Sequence, residues 1–202
     1  MGKIARVLCL VSALTAGASL LAVARSPDDD DEKAKIEAAK RAAPDVEKLA
    51  DNVGKPGLTT QAEAVAKKYD ELLPIMRQMK PVDKGGMKIG GPGPFGDDGI
   101  EVGLLKLASD PPAAGAIAAK AKDLQRAADV VRGIAEVVPS YGDRWAKNAT
   151  DQSKWASYSN DMKKAADDLR TAIQAGNANA FKKALNSLNK SCNDCHAKFR
   201  DN

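Results

Sequence analysis

Near the C-terminus, apolar side chains fall at Phe181, Leu185, Leu188, Cys192, Cys195 and Phe199, spaced 4-3-4-3-4. That spacing keeps one face of an α-helix apolar and does not suit a strand, whose faces alternate every second residue. The stripe predicts a helix packed on other helices, with both cysteines turned towards the core. The same rule organises the chain upstream. Asp110-Pro111-Pro112 supplies a cap and a first-turn proline for a helix through Ile117, Leu124, Val131, Ile134 and Val138, stopped by Pro139. A loop to Thr150 leads into a helix carrying Trp155, Tyr158, Met162, Leu169 and Ile173, ended by Gly176. Earlier, Thr60-x-x-Glu63 reads as a capping box opening a helix with Val65, Tyr69, Leu72, Met76 and Met79, kinked at Pro74. The acidic run Asp28-Asp29-Asp30-Asp31-Glu32 precedes a helical stretch to about Val53, broken by Gly54 to Gly57. No segment alternates as a strand does. The expectation is an all-α, up-down-up-down four-helix bundle. To it are added an extra N-terminal helical segment and a long loop.

That loop is residues 80–99, which hold seven of the 16 Gly and three of the 10 Pro. Such density stops helices and central strands, so a connection is expected rather than a functional lid. With 202 residues the chain suits one domain. Residues 58–202 are read as the bundle and 25–57 as an acidic, partly helical extension. Hydrophobic residues at 44% and charged residues at 29% exclude disorder throughout and a multi-span membrane protein. The balance of 31 basic and 27 acidic residues gives no nucleic-acid footprint.

The start of the chain reads as an export signal. Met1 to Arg6 carries Lys3 and Arg6, Val7 to Ala24 has no charge, and Ala22-Val23-Ala24 is a small-x-small cleavage pattern. Residues 1–24 are therefore expected to be removed after Ala24 in the periplasm, leaving no membrane anchor. An uncleaved anchor is the alternative. Cleavage takes Cys9 away, so two cysteines and one histidine remain.

Those three residues form Cys192-Asn193-Asp194-Cys195-His196, the C-x-x-C-H pattern of covalent haem attachment. Thiols three residues apart share a helix face, so each forms a thioether to one vinyl group of the same porphyrin. The adjacent imidazole then reaches the iron as an axial ligand. The competing chemistries fit less well. Structural zinc takes about four N or S ligands, and the cleaved chain has no other Cys or His. A redox C-x-x-C normally opens a helix after a strand, and no strand pattern precedes this one. One covalent haem c is expected.

From Trp155 to Arg200, WASYSNDMKKAADDLRTAIQAGNANAFKKALNSLNKSCNDCHAKFR resembles the last two helices of the cytochrome c′ family, the class II c-type cytochromes that include the c-556 type. The family's haem site also lies near the end of its fourth helix, and CHAKFR is similar to the family's ending. The resemblance implies Cys192 and Cys195 as thioether residues and His196 as the proximal iron ligand. It also implies that Arg200, four residues after the histidine, sits beside the proximal face; a solvated charge at a helix end is the alternative. Before Asp110 the resemblance fades. The Arg-x-x-x-Met pattern of six-coordinate members is absent from the first helix.

The sixth iron position is left open. In the expected topology Val65 and Tyr69 approach the distal face, Met76 and Met79 lie a few turns away, and Met87 reaches it only if the loop folds back. Tyr141, Trp145, Trp155, Tyr158 and Phe199 are expected to gather at the haem end. By elimination the ferrous haem is expected to be largely five-coordinate. No nucleophile with a base and no spare imidazole appears, so a non-enzyme is expected. Its function is then electron transfer with a redox partner protein. The alternatives are binding of a small gas (nitric oxide or carbon monoxide) and a non-redox helical scaffold. From Gly176 onward, Lys182, Lys183, Lys190, Lys198 and Arg200 outnumber Asp194 and Asp201, a basic end suited to an acidic partner. Family members are often dimers through their first helices, so a homodimer also stays open.

Overall fold

The computed structural model describes residues 27–91 and 95–200. The proposed signal and its cleavage site lie outside these residues. Among the described residues nine α-helices follow one another: α1 Pro27–Asp51, α2 Leu58–Lys68, α3 Leu73–Met76, α4 Gly99–Ser109, α5 Ala114–Ala119, α6 Ala121–Val137, α7 Gly142–Trp145, α8 Ala149–Gln174 and α9 Ala178–Phe199. Short 3-10 turns occupy Arg77–Met79, Val82–Lys84 and Val138–Tyr141. The architecture is an all-α helical bundle, with no strand among the described residues. None of the described helices is long and apolar enough to cross a membrane.

Four long helices pack in the order α1, α6, α8, α9. The three-residue link after α8 makes α8 and α9 a helical hairpin, which favours antiparallel neighbours. Asn148 and Asn177 cap α8 and α9, their side chains accepting from the Asp151 and Ala180 amides at 2.9 and 3.0 Å. Along α1, Ala39, Ala42, Val46 and Leu49 have no exposed surface, and α1 packs on α6 and α3. Gly133 permits the close approach there: a Cβ in its place would stand 3.0 Å from the Leu49 Cβ and 3.2 Å from the Ala50 nitrogen. Across this seam Thr59 donates to Glu136 at 2.7 Å, and Arg132 joins Glu136 and Asp167 at 2.6 and 3.0 Å, tying α2, α6 and α8 together.

The ring is closed differently from the sequence expectation. α9 packs on α4, while α3 and the Arg77–Met79 turn pack on α1. The segment 73–109 therefore fills the place expected for a long first helix beside α9. That expected helix is broken. α2 ends at Lys68, and Tyr69 turns extended (φ −117°, ψ 119°) where its hydroxyl donates to Asp45 Oδ2 at 2.6 Å. Pro74 sits in the first turn of α3, starting a helix instead of kinking one. The expected capping box also fails: Gly57 caps α2 with no side-chain bond, and the neighbouring Thr59 hydroxyl goes to Glu136.

The glycine-rich segment is packed rather than slack. Met87, Ile89 and Phe95 are buried. The Met87 amide donates to the Gln78 carbonyl at 2.9 Å and the Val82 amide to the Asp97 carbonyl at 3.0 Å. At its end Gly99 adopts φ +78°, and a Cβ there would fall 2.1 Å from the Lys80 carbonyl oxygen. Only glycine lets the chain turn so close to its own backbone and enter α4.

Candidate functional site

α9 is buried along Phe181, Ala184, Leu185, Leu188 and Ser191, each at most 5% exposed. Burial relaxes over the next turn. Cys192, Cys195, His196 and Phe199 are half-buried, and the two sulfurs and Phe199 still rest against the core. The thiols are free, with no disulfide. The sequence stripe therefore places both sulfurs on the inner face of α9, at the depth where the bundle opens.

Burial pushes the Cys192 thiol up to about 11, and Glu101 on α4 lies close enough to push the same way. Burial also raises Cys195. Both sulfurs are thus neutral thiols at neutral pH. Their place on the helix acts in the same sense, because the C-terminal end of a helix carries partial negative charge and disfavours a thiolate. A dithiol oxidoreductase uses the opposite placement, at a helix N-terminus that lowers the thiol pKa. Among the described residues no group of three or more His, Cys, Asp or Glu gathers to hold a metal ion. Redox dithiol and closed zinc chemistry both fit this site poorly.

Thioether attachment fits it. The two sulfurs share one half-covered face, and the sole imidazole of the chain follows on the same turn. His196 Nδ1 stands 3.0 Å from an Arg200 guanidinium nitrogen. Arginine only donates, so Nδ1 accepts here and the ring proton sits on Nε2. Were an iron held through Nε2, the ring proton would have to sit on Nδ1 and the guanidinium would turn aside, while the cation would stay on the same helix end, four residues from His196.

Rings cover one side of the site. Trp155, 4% exposed, donates from Nε1 to the Val138 carbonyl at 3.0 Å. It stacks on Trp145 with centroids 6.2 Å apart and meets Phe199 edge-on at 5.1 Å. Tyr158 meets Phe199 edge-on at 6.3 Å. Four of the five expected aromatics therefore converge beside the motif. Tyr141 does not join their stack: it is fully buried, and its hydroxyl donates to the Tyr69 carbonyl at 2.7 Å.

The expected distal residues are elsewhere. Val65 lies on α2, which packs on α6, and Tyr69 is committed to Asp45 Oδ2 and to the Arg41 carbonyl at 3.0 Å. Met79 and Met87 are buried about the Arg77–Met79 turn, which packs on α1, and Met76 is half-buried on α3. A short helix over residues 100–108 is legible in the sequence, but its packing on α9 is not; it is α4, with Glu101 joined to Lys80 at 2.7 Å.

Residues 112–200 match the family model described as Cytochrome C'. No curated protein and no solved structure matches the chain.

Proposed function

We propose that this chain, which matches the cytochrome c′ family model over residues 112–200, is a member of that family, carries one covalent haem on Cys192 and Cys195 with His196 as axial ligand, and serves as a non-catalytic carrier of single electrons in the periplasm. The family match supports a c-type haem protein with electron transfer or gas binding as its role. Members of the family are typically periplasmic, which agrees with the charged, apolar and small-x-small start of the sequence.

The observation that carries the reading is the pair of neutral, half-buried thiols at the end of α9 with the only imidazole beside them. Haem held there would supply a one-electron ferric/ferrous couple. The chain does the rest. Cys192 and Cys195 fix the attachment face, and His196 supplies the nitrogen donor. Phe199, Trp155 and Tyr158 keep water from that side, and Arg200 holds a positive charge near the ligand. Gas binding is the second reading. It is favoured by Tyr69, expected near the distal face, having its hydroxyl engaged by Asp45 and Arg41.

The test is export of the full chain in a host with cytochrome c maturation. One haem should survive acid–acetone extraction and stain by peroxidase activity on a denaturing gel. Cys192→Ala with Cys195→Ala should abolish the stain. An unstained wild-type chain sinks the assignment. N-terminal sequencing should find Arg25 first, and full-length protein in the membrane fraction would instead mean an anchor.

A further inference from the structure

Among the large apolar side chains that stand out into solvent is Trp145, 44% exposed at the end of α7. It is not isolated. Its ring stacks on Trp155 at an interplanar angle of 12°, and Trp155 leans edge-on against Phe199, one helical turn beyond His196. Packed rings therefore run from the surface to the helix turn that bears the motif. Leu73 and Leu105, the other large exposed apolar residues among those described, line a groove of about 450 Å³ beside Arg77 and Lys80.

The surroundings of Trp145 are basic. Arg144 lies over the Tyr141 ring at 5.2 Å, and Lys147 is exposed two residues further on. Lys154 lies near Asp151, which pairs with Lys198 at 3.0 Å and so brings the end of α9 to the same corner. With Arg200 these bases outnumber Asp143 and Asp151. An exposed, rigid indole within a rim of net positive charge suits the anchor of a protein interface, and the rim selects a partner of opposite charge. The outward face of α9, with Lys182, Lys183 and Lys190, is also basic. It presents only polar side chains, and its lysines lie off the stripe that carries the sulfurs.

We propose that Trp145 and its basic rim form the docking surface for an acidic one-electron carrier protein, with Trp155 and Phe199 the contact path between that partner and the motif. This rests on haem being held at Cys192, Cys195 and His196. One electron passes from the reduced partner, which is oxidised, to the ferric haem, which becomes ferrous; no bond is made or broken and no proton is required.

The probe is a plant-type ferredoxin, a small acidic one-electron donor, used with the haem-loaded chain. Binding of oxidised ferredoxin is measured by calorimetry and reduction of the ferric protein by stopped flow. Trp145→Ala should weaken binding and slow reduction at least about tenfold, while Trp145→Phe, which keeps a ring, stays near wild type. Lys147→Glu should slow reduction about tenfold at low salt and much less at high salt. Lys182→Glu with Lys183→Glu, a larger charge change on the other face, should leave both readouts near wild type. Every variant should still be reduced fully by excess dithionite, which shows that the haem remains reducible. Wild-type binding by Trp145→Ala, or an equal loss in the Lys182/Lys183 variant, overturns the docking surface. A chain without a Soret band overturns the haem reading instead, so the two failures are distinct.

Discussion

Glu136 gives the sharpest test of how the bundle is held together. Its carboxylate, 6% exposed, accepts from Thr59 of α2 and Arg132 of α6 and stands 3.4 Å from Lys163 of α8. Burial pushes this carboxyl up, but the Thr59 and Arg132 hydrogen bonds and the Lys163 charge outweigh it, so the pKa ends below its ordinary 4.5. Glu136→Gln keeps the shape and an acceptor for Thr59 and removes the charge. Arg132 retains Asp167 at 3.0 Å, so the loss falls short of stranding a buried cation. Weakening one charge-assisted bond and one partly exposed pair costs about 2 kcal/mol, which lowers the melting temperature by about 4–8 °C for a domain of this size. The sign with pH follows from the lowered pKa. The contribution is complete above the unfolded value of 4.5 and is lost as pH falls towards the folded one. Melting followed by far-UV circular dichroism on the haem-loaded protein should show the full gap at pH 7 and a shrinking gap below pH 4.5. Equal stability at pH 7, or a gap that stays constant into acid, would refute the reasoning.

Three further outcomes follow from other parts of the fold. Gly99→Ala should destabilise the protein and perturb the haem spectrum, because its Cβ collides with the Lys80 carbonyl under α4; Gly115→Ala, whose Cβ meets nothing within 4 Å, should gain up to about 1 kcal/mol from helix propensity. Arg200→Leu should lower the reduction potential in voltammetry, since removing a cation beside His196 favours the more positive ferric iron; an unchanged potential would show that Arg200 serves only as a solvated helix end. Ferrous protein should bind carbon monoxide with a clear Soret change, whereas sharp low-spin bands unmoved by the gas would point to Met76, Met79 or Met87 as a sixth ligand.

The last two helices were legible in the sequence because everything that shapes them is local. Asn177 precedes α9, Gly176 ends α8, and the 4-3-4-3-4 stripe places both sulfurs on one face. The aromatic cluster was legible because Trp155 and Phe199 occupy buried stripe positions on neighbouring helices. The stretch 58–79 misled because periodicity reports which residues face the core, and not whether the backbone between them is continuous. Leu72, Ile75 and Met79 are buried, yet the helix is interrupted by Tyr69 reaching Asp45 on α1, a residue far away in sequence. Pro74 did carry a usable signal, since proline opens helices more readily than it survives inside them. The placement of α4 on α9 depends on a glycine-only approach to Lys80, which no local pattern reveals.

The three-residue link between α8 and α9 has a kinetic consequence. The half of the molecule that bears the sulfurs is a hairpin of consecutive helices, so its contacts close short loops and form early. The opposite wall joins α1 to α6 and α4 to α9 across long stretches of chain, and each joint must wait for a costlier loop to close. Folding is therefore expected in two tempos. The attachment helix finds its partner helix first, and the thiol face is covered by α4 only afterwards. In the interval Cys192 and Cys195 stand on a formed helix with one side still open, where the proposed haem would enter.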